Sequence, residues 1–115
     1  MVEYTAGVIR GRGEKCFCLN FITTVSPACD CHGHNDAPIV RDIGVLASRD
    51  PVAIDAAAVD LVNAEPVLAG SCLDTAEGCG PDKFKALYPN VDWPLQLDYA
   101  ETLGLGQRAY ELITI

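Results

Sequence analysis

Residues 43–63 read IGVLASRDPVAIDAAAVDLVN, and this stretch decides the fold class. Residues 43–48 form a short apolar run, which predicts a strand. Asp50 is expected to cap a helix, because its carboxylate can accept from the free amides of the first turn. Pro51 suits the first helical position, where its missing N–H costs nothing. Apolar residues occupy nearly every face of residues 52–63, which predicts a covered helix that begins directly after the strand.

The flanking segments extend this alternation of strands and helices. A second strand is predicted at 16–25, rich in Phe, Ile, Thr and Val, and it is broken by Ser26-Pro27. Further predicted elements are a helix at 2–10 ended by Gly11 and Gly13, an extended segment at 37–41, helices at 82–87 and 95–103, and a final strand at 110–115. We therefore predict an α/β fold, a single compact domain over residues 1–115 with a small mixed sheet flanked by helices.

The charge balance excludes several classes of partner. The 115 residues include 16 acidic and 8 basic side chains, so the formal net charge is −8. A nucleic-acid binder needs a basic face, which is missing here, and no uncharged stretch reaches the roughly 18 apolar residues of a membrane span. The first residues also lack a secretion signal. We expect a cytoplasmic protein that binds neither nucleic acid nor membrane.

Six cysteines are the unusual feature of the composition. Four of them form two Cys-x-Cys pairs, and both histidines of the chain follow the second pair directly. Clustered thiols in a reducing compartment are more often metal ligands than disulfides, and a thiolate-rich set suits zinc or an iron-sulfur cluster. The predicted metal ligands are Cys29 and Cys31, followed by Cys16 and Cys18. His32 and His34 are predicted as nitrogen ligands of a mixed Cys/His coordination sphere. Burial as small hydrophobic side chains in the strand is the alternative for the pair at 16 and 18.

Two further groups of residues are weaker candidates. Cys72 and Cys79 bracket a polar loop and could close a disulfide, complete a metal site or remain ordinary thiols. Asp36 and Asp55 are candidate acid/base carboxylates. Asp55 is the better of the two, because it follows a strand near a helix N-terminus, where α/β sheets commonly place sites. An exposed or capping carboxylate is the alternative for both.

Three strings carry a family resemblance: SPACDC at 26–31, DAPIV at 36–40 and ASRDPVAID at 47–55. Together they resemble the C-terminal portion of the domain of unknown function 362 family, whose members are described as uncharacterised iron-sulfur centre proteins. Residues 82–89 and 99–113 are similar as well. The resemblance implies that the chain is the C-terminal portion of a larger iron-sulfur centre architecture, and Cys29, Cys31, Asp36 and Asp55 match its strings. The ferredoxin-type cysteine run that members often carry upstream is absent from this sequence.

Three functional hypotheses follow. The first is a metal-binding, redox-type module with an iron-sulfur cluster or zinc as cofactor, and with a redox protein as partner. The second is a structural or docking domain that forms a homo-oligomer, because half of the residues are hydrophobic in a short chain. The third is an enzyme fragment in which Asp36, Asp55 and a histidine near Cys29 and Cys31 act as acid and base.

Overall fold

The computed structural model describes residues 1–12, 15–29, 31–75 and 77–115. Two strands, β1 (Cys18–Ile22) and β2 (Gly44–Ser48), form one antiparallel sheet, with Cys18 opposite Ser48 and Ile22 opposite Gly44. The helices are α1 (Val2–Ile9), α2 (Pro51–Ala64), α3 (Lys83–Leu87) and α4 (Pro94–Thr102). The predicted α/β class, with a small sheet flanked by helices, is confirmed, but among the described residues the sheet is antiparallel and not mixed.

Helix α2 begins where the sequence predicts it. The Asp50 Oδ1 atom accepts from the amides of Val52 at 2.8 Å and Ala53 at 2.9 Å, and Pro51 occupies the first turn. The helix ends at Ala64, and its C-cap Glu65 directly precedes a proline. It packs against both strands and against α3 and α4, so it lies at the centre of the fold.

Two apolar clusters hold these elements together. The first joins the sheet and the following loops to the C-terminal half of α2, and its buried members are Ile22, Ile39, Val40, Val62 and Leu73. The second joins α4 to the N-terminal half of α2, and its buried members are Val52, Ala56, Leu97 and Ala100. Because both clusters include α2 residues, the predicted covered helix is confirmed.

The predicted final strand at 110–115 is wrong. These residues have no ladder hydrogen bonds, and side chains tether the segment instead. The Tyr110 hydroxyl donates to Asp60 Oδ2 at 2.8 Å, and the Gln107 amide donates to Asp50 Oδ2 at 2.9 Å. Apolar composition made the segment resemble a strand, but composition does not specify a pairing partner.

Strand β1 is shorter than the predicted 16–25. It ends at Ile22, and Thr24 follows with a positive φ of 51°, which is incompatible with a continued strand. Helix α1 ends near Gly11, whose φ of +71° suits glycine at a helix end. The second predicted end signal, Gly13, lies outside the described residues. The other helices differ from the predictions by one or two residues at their ends.

The two faces of the sheet differ in exposure. Along β1, Asn20 and Ile22 are the more buried residues and Leu19 and Phe21 are exposed, so the two sets lie on opposite faces of the sheet, with Ile22 in the first apolar cluster. We call the exposed set the bare sheet face; it consists of Leu19, Phe21, Val45 and Ala47 of the strands and of Phe17, which directly precedes β1. In the described part of the chain, no helix combines the length and the apolarity needed to cross a bilayer.

Candidate functional site

The Cys29–His34 segment lies in the long connection between β1 and β2. The His32 amide donates to the Cys29 carbonyl at 3.0 Å, which closes a turn over residues 29–32 that we call the cysteine turn. Asp30 lies outside the described residues. The side chains of Cys29, Cys31, His32 and His34 are all exposed. The predicted ligands of this segment are therefore presented at the surface by one loop.

The base of this loop is fixed by Asn35. Its Oδ1 accepts from the Ala28 amide at 3.1 Å, and its Nδ2 donates to the Ser26 hydroxyl at 2.9 Å and to the Ala28 carbonyl at 2.7 Å. From the far side, the Tyr88 hydroxyl donates to the Pro27 carbonyl at 2.6 Å. The tip of the loop is thus exposed while its base is held by side chains.

Asp36 has a local contact in this loop. Its Oδ1 accepts from the amide of the next residue, Ala37, at 2.8 Å. No role was predicted for Asn35 or Tyr88. An asparagine between a histidine and an aspartate is a turn signal, and this signal could have indicated a role for Asn35. Nothing in the sequence connects Tyr88 with a loop 61 residues away.

The other cysteine pair lies at the opposite end of the hairpin. Cys18 pairs with Ser48, whereas the connection that carries the cysteine turn leaves β1 at Ile22, about 13 Å further along the strand. Both Cys16 and Cys18 are half-buried. Burial, followed by the nearby Cys16, Asp55 and Asp50, raises the pKa of the Cys18 thiol. The structure therefore separates the two Cys-x-Cys pairs.

A preformed coordination cage is not found among the described residues, in which no group of three or more His, Cys, Asp or Glu side chains is placed to hold a metal ion. Cys72 and Cys79 are not bonded to each other, which excludes the disulfide alternative in this structure. Cys72 is exposed, and Cys79 packs against the first apolar cluster.

Asp55 borders two hollows between α2 and α4. Their volumes are about 110 and 260 Å³. Much of its side chain meets solvent, but partial burial beside the apolar walls raises the pKa of the carboxyl. The described residues of the 29–34 segment line neither hollow. Asp55 and the cysteine turn are therefore not brought into one cavity.

Two polar contacts around α3 were not predicted. Lys83 is only 4% exposed, and its Nζ donates to the Asn63 carbonyl at the end of α2 at 2.7 Å, where a positive charge is favourable. The Trp93 indole donates to Asp82 Oδ2 at 2.9 Å and lies against Phe84, with ring centroids 6.1 Å apart. Nothing in the local sequence distinguishes a buried lysine such as Lys83 from an exposed one.

Comparison with known proteins gives one result. The family model described as Domain of unknown function (DUF362) matches residues 1–60. No curated protein and no solved structure matches the chain. The matched residues contain the sheet, the cysteine turn and most of α2, whereas the similarity of residues 82–89 and 99–113 stays a prediction.

Proposed function

This chain belongs to the domain of unknown function 362 (DUF362) family, and for it we propose a metal-binding function of redox type in which Cys29 and Cys31 hold zinc or an iron-sulfur cluster. The observation that carries the proposal is the cysteine turn. It presents both cysteines, together with His32 and His34, on an exposed loop. A fixed loop base reduces the conformational entropy that metal binding must overcome.

The donor chemistry of this loop fits zinc most completely. Two thiolates and two imidazoles make up the four tetrahedral ligands that structural zinc sites use. An iron-sulfur cluster with four cysteine ligands would need two thiolates from elsewhere, because Cys16 and Cys18 lie at the other end of the hairpin. When bound, the metal would supply a positive centre that stabilises the thiolates. The hydrogen bonds of Asn35 to Ala28 would hold the loop base next to the two cysteines.

Metal analysis of anaerobically purified protein tests this proposal. We expect about one zinc per chain, or iron with acid-labile sulfide, and loss of that metal in Cys29→Ser and Cys31→Ser. Cys72→Ser is the matched control, since Cys72 is an exposed cysteine outside the loop. Absence of stoichiometric metal from the wild-type protein, or equal loss in the Cys72→Ser control, would contradict the proposal.

A second candidate function is self-association through the bare sheet face. Phe17, Leu19, Phe21 and Val45 are 54–64% exposed, and none of the five face residues is charged. Two such faces could pack as a sandwich without opposing charges, although each chain carries −8 overall. A standard interface takes roughly 20–30 residues from each partner, and this face offers five. The occupant proposed is therefore a second copy, bound weakly.

Sedimentation equilibrium tests this second candidate. We expect a monomer–dimer equilibrium with a Kd of about 10 µM to 1 mM. Phe21→Ser should weaken it about tenfold or more, because the substitution removes the largest side chain near the centre of the face. Tyr4→Ser, on the exposed side of α1, should leave the dimer unchanged. A monomer at all concentrations up to about 1 mM would exclude the candidate.

A further inference from the structure

The larger of the two hollows beside Asp55 has a volume of about 260 Å³. Its floor is one face of α2, and its other walls come from β1, α4 and the Phe84–Trp93 ring pair. At about 30 Å³ per molecule of liquid water, the space holds about nine waters or a ligand of about ten non-hydrogen atoms. The hollow is thus of a size for a small molecule.

The walls of the hollow are mainly apolar, with a few polar groups. Ile22, Val62 and Leu97 are buried side chains of the lining, and Phe84 and Trp93 supply aromatic surface. The position of Trp93 is fixed by the hydrogen bond from its indole to Asp82. The polar groups of the lining are Asn20, Asp55 and Gln96. An apolar cavity with a small number of polar groups is typical of ligand sites.

Of the described residues that line this hollow, Asp55 alone is charged. Among the described residues, none forms a hydrogen bond or an ion pair with its carboxylate, and no lysine or arginine lines the hollow. Asp50 and Cys18 lie close by and contribute no positive charge. A partly desolvated carboxylate without a cation favours a positively charged ligand.

We propose that this hollow binds a small organic cation, a primary ammonium group on a compact apolar body, with the ammonium on the Asp55 carboxylate and the body against Trp93 and Phe84. Aromatic faces attract cations as well as apolar groups, so both ends of such a molecule find a matching wall. A divalent metal ion fits the hollow less well, because it would need several oxygen ligands and finds a single carboxylate.

Fluorescence titration tests the proposal, since Trp93 is the only tryptophan of the chain. The probe is cyclohexylmethylamine at neutral pH, and its uncharged counterpart is cyclohexylmethanol, which has the same shape and the same number of non-hydrogen atoms. We expect a saturable change of Trp93 emission with the amine and at least about tenfold weaker binding of the alcohol. No saturable change with the amine, or equal affinities of the two probes, would overturn the proposal.

Matched carboxylate variants locate the binding. Asp55→Asn keeps the size of the side chain and removes its charge, so the amine should bind about tenfold more weakly while the alcohol is unaffected. Asp60→Asn removes a charge from the same helix outside the hollow, where the carboxylate accepts from Tyr110, and should leave amine binding unchanged. An unchanged affinity in Asp55→Asn, or an equal loss in Asp60→Asn, would show that the amine binds elsewhere or through net charge alone.

Discussion

The carboxylate of Asp50 accepts hydrogen bonds from three backbone amides. Oδ1 accepts from Val52 and Ala53 in the first turn of α2, and Oδ2 accepts from Gln107 in the C-terminal segment. The chain at Gly106 passes so close to this carboxylate that a Cβ there would lie 2.5 Å from Asp50 Cγ and 2.7 Å from Oδ2. Glycine is required at position 106 because the aspartate cannot move without losing these bonds.

Gly106→Ala should therefore destabilise the fold by about 1–2 kcal/mol, the range for loss of a helix cap. The free energy of unfolding in urea measures the effect. Gly33→Ala is the control, since a Cβ there would meet nothing within 4 Å, and it should change stability by less than about 0.5 kcal/mol. Equal stabilities of the two variants would contradict the steric argument.

At Asp55, the raised pKa of the carboxyl makes stability depend on pH. The folded chain holds this proton more tightly than the unfolded chain does. The free energy of unfolding consequently falls as the pH rises from the unfolded pKa of about 3.9 through the higher folded value. Replacing the carboxyl by an amide removes this loss.

We expect Asp55→Asn to be more stable than the wild type at pH 7, with the difference shrinking toward about pH 3. Urea unfolding at several pH values gives the comparison. Asp92→Asn removes the same charge at an exposed position and controls for net charge. A difference from the wild type that does not vary with pH, or the same profile in the control, would show that burial of Asp55 is not the cause.

At the scale of elements, α2 organises its neighbours because its start is anchored to the C-terminal segment. Asp50→Ala leaves three amides without an acceptor and should cost about 2 kcal/mol in the free energy of unfolding. Asp50→Asn keeps a side-chain oxygen that can cap the helix, so its loss of stability should be less than half of the loss in Asp50→Ala. Chemical denaturation distinguishes the two, and equal losses would assign the effect to the negative charge.

The hairpin was harder to infer than α2. Its two strands were identified from their apolar residues, but the separation of the two Cys-x-Cys pairs follows from the pairing register. Cys16, Cys18, Cys29 and Cys31 lie within 16 residues of one another in the sequence. The extended strand β1 runs between the two pairs, however, and it places them at opposite ends of the hairpin. The hydrogen bond from Tyr88 to the loop that carries the cysteine turn was not predictable from the sequence.

For the whole molecule, stability depends on two separate apolar clusters. Leu97 is the largest buried side chain that α4 contributes to the second cluster, at 3% exposure, whereas Leu95 on the same helix is 62% exposed. Leu97→Ala should cost about 2–4 kcal/mol in the free energy of unfolding, and Leu95→Ala less than about 0.5 kcal/mol. Similar losses for the two leucines in urea unfolding would mean that α4 does not pack on α2 as described.

Local features could be read from the sequence: the α/β class, the cap and proline that begin α2, and the glycine that ends α1. Each depends on neighbours within a few residues, where side-chain chemistry and backbone preference act directly. Tertiary structure decided where the candidate groups lie relative to one another. It separated the two cysteine pairs, placed Asp55 between two hollows and left residues 110–115 unpaired, because contacts between distant residues depend on strand register and on side-chain packing, which local patterns do not contain.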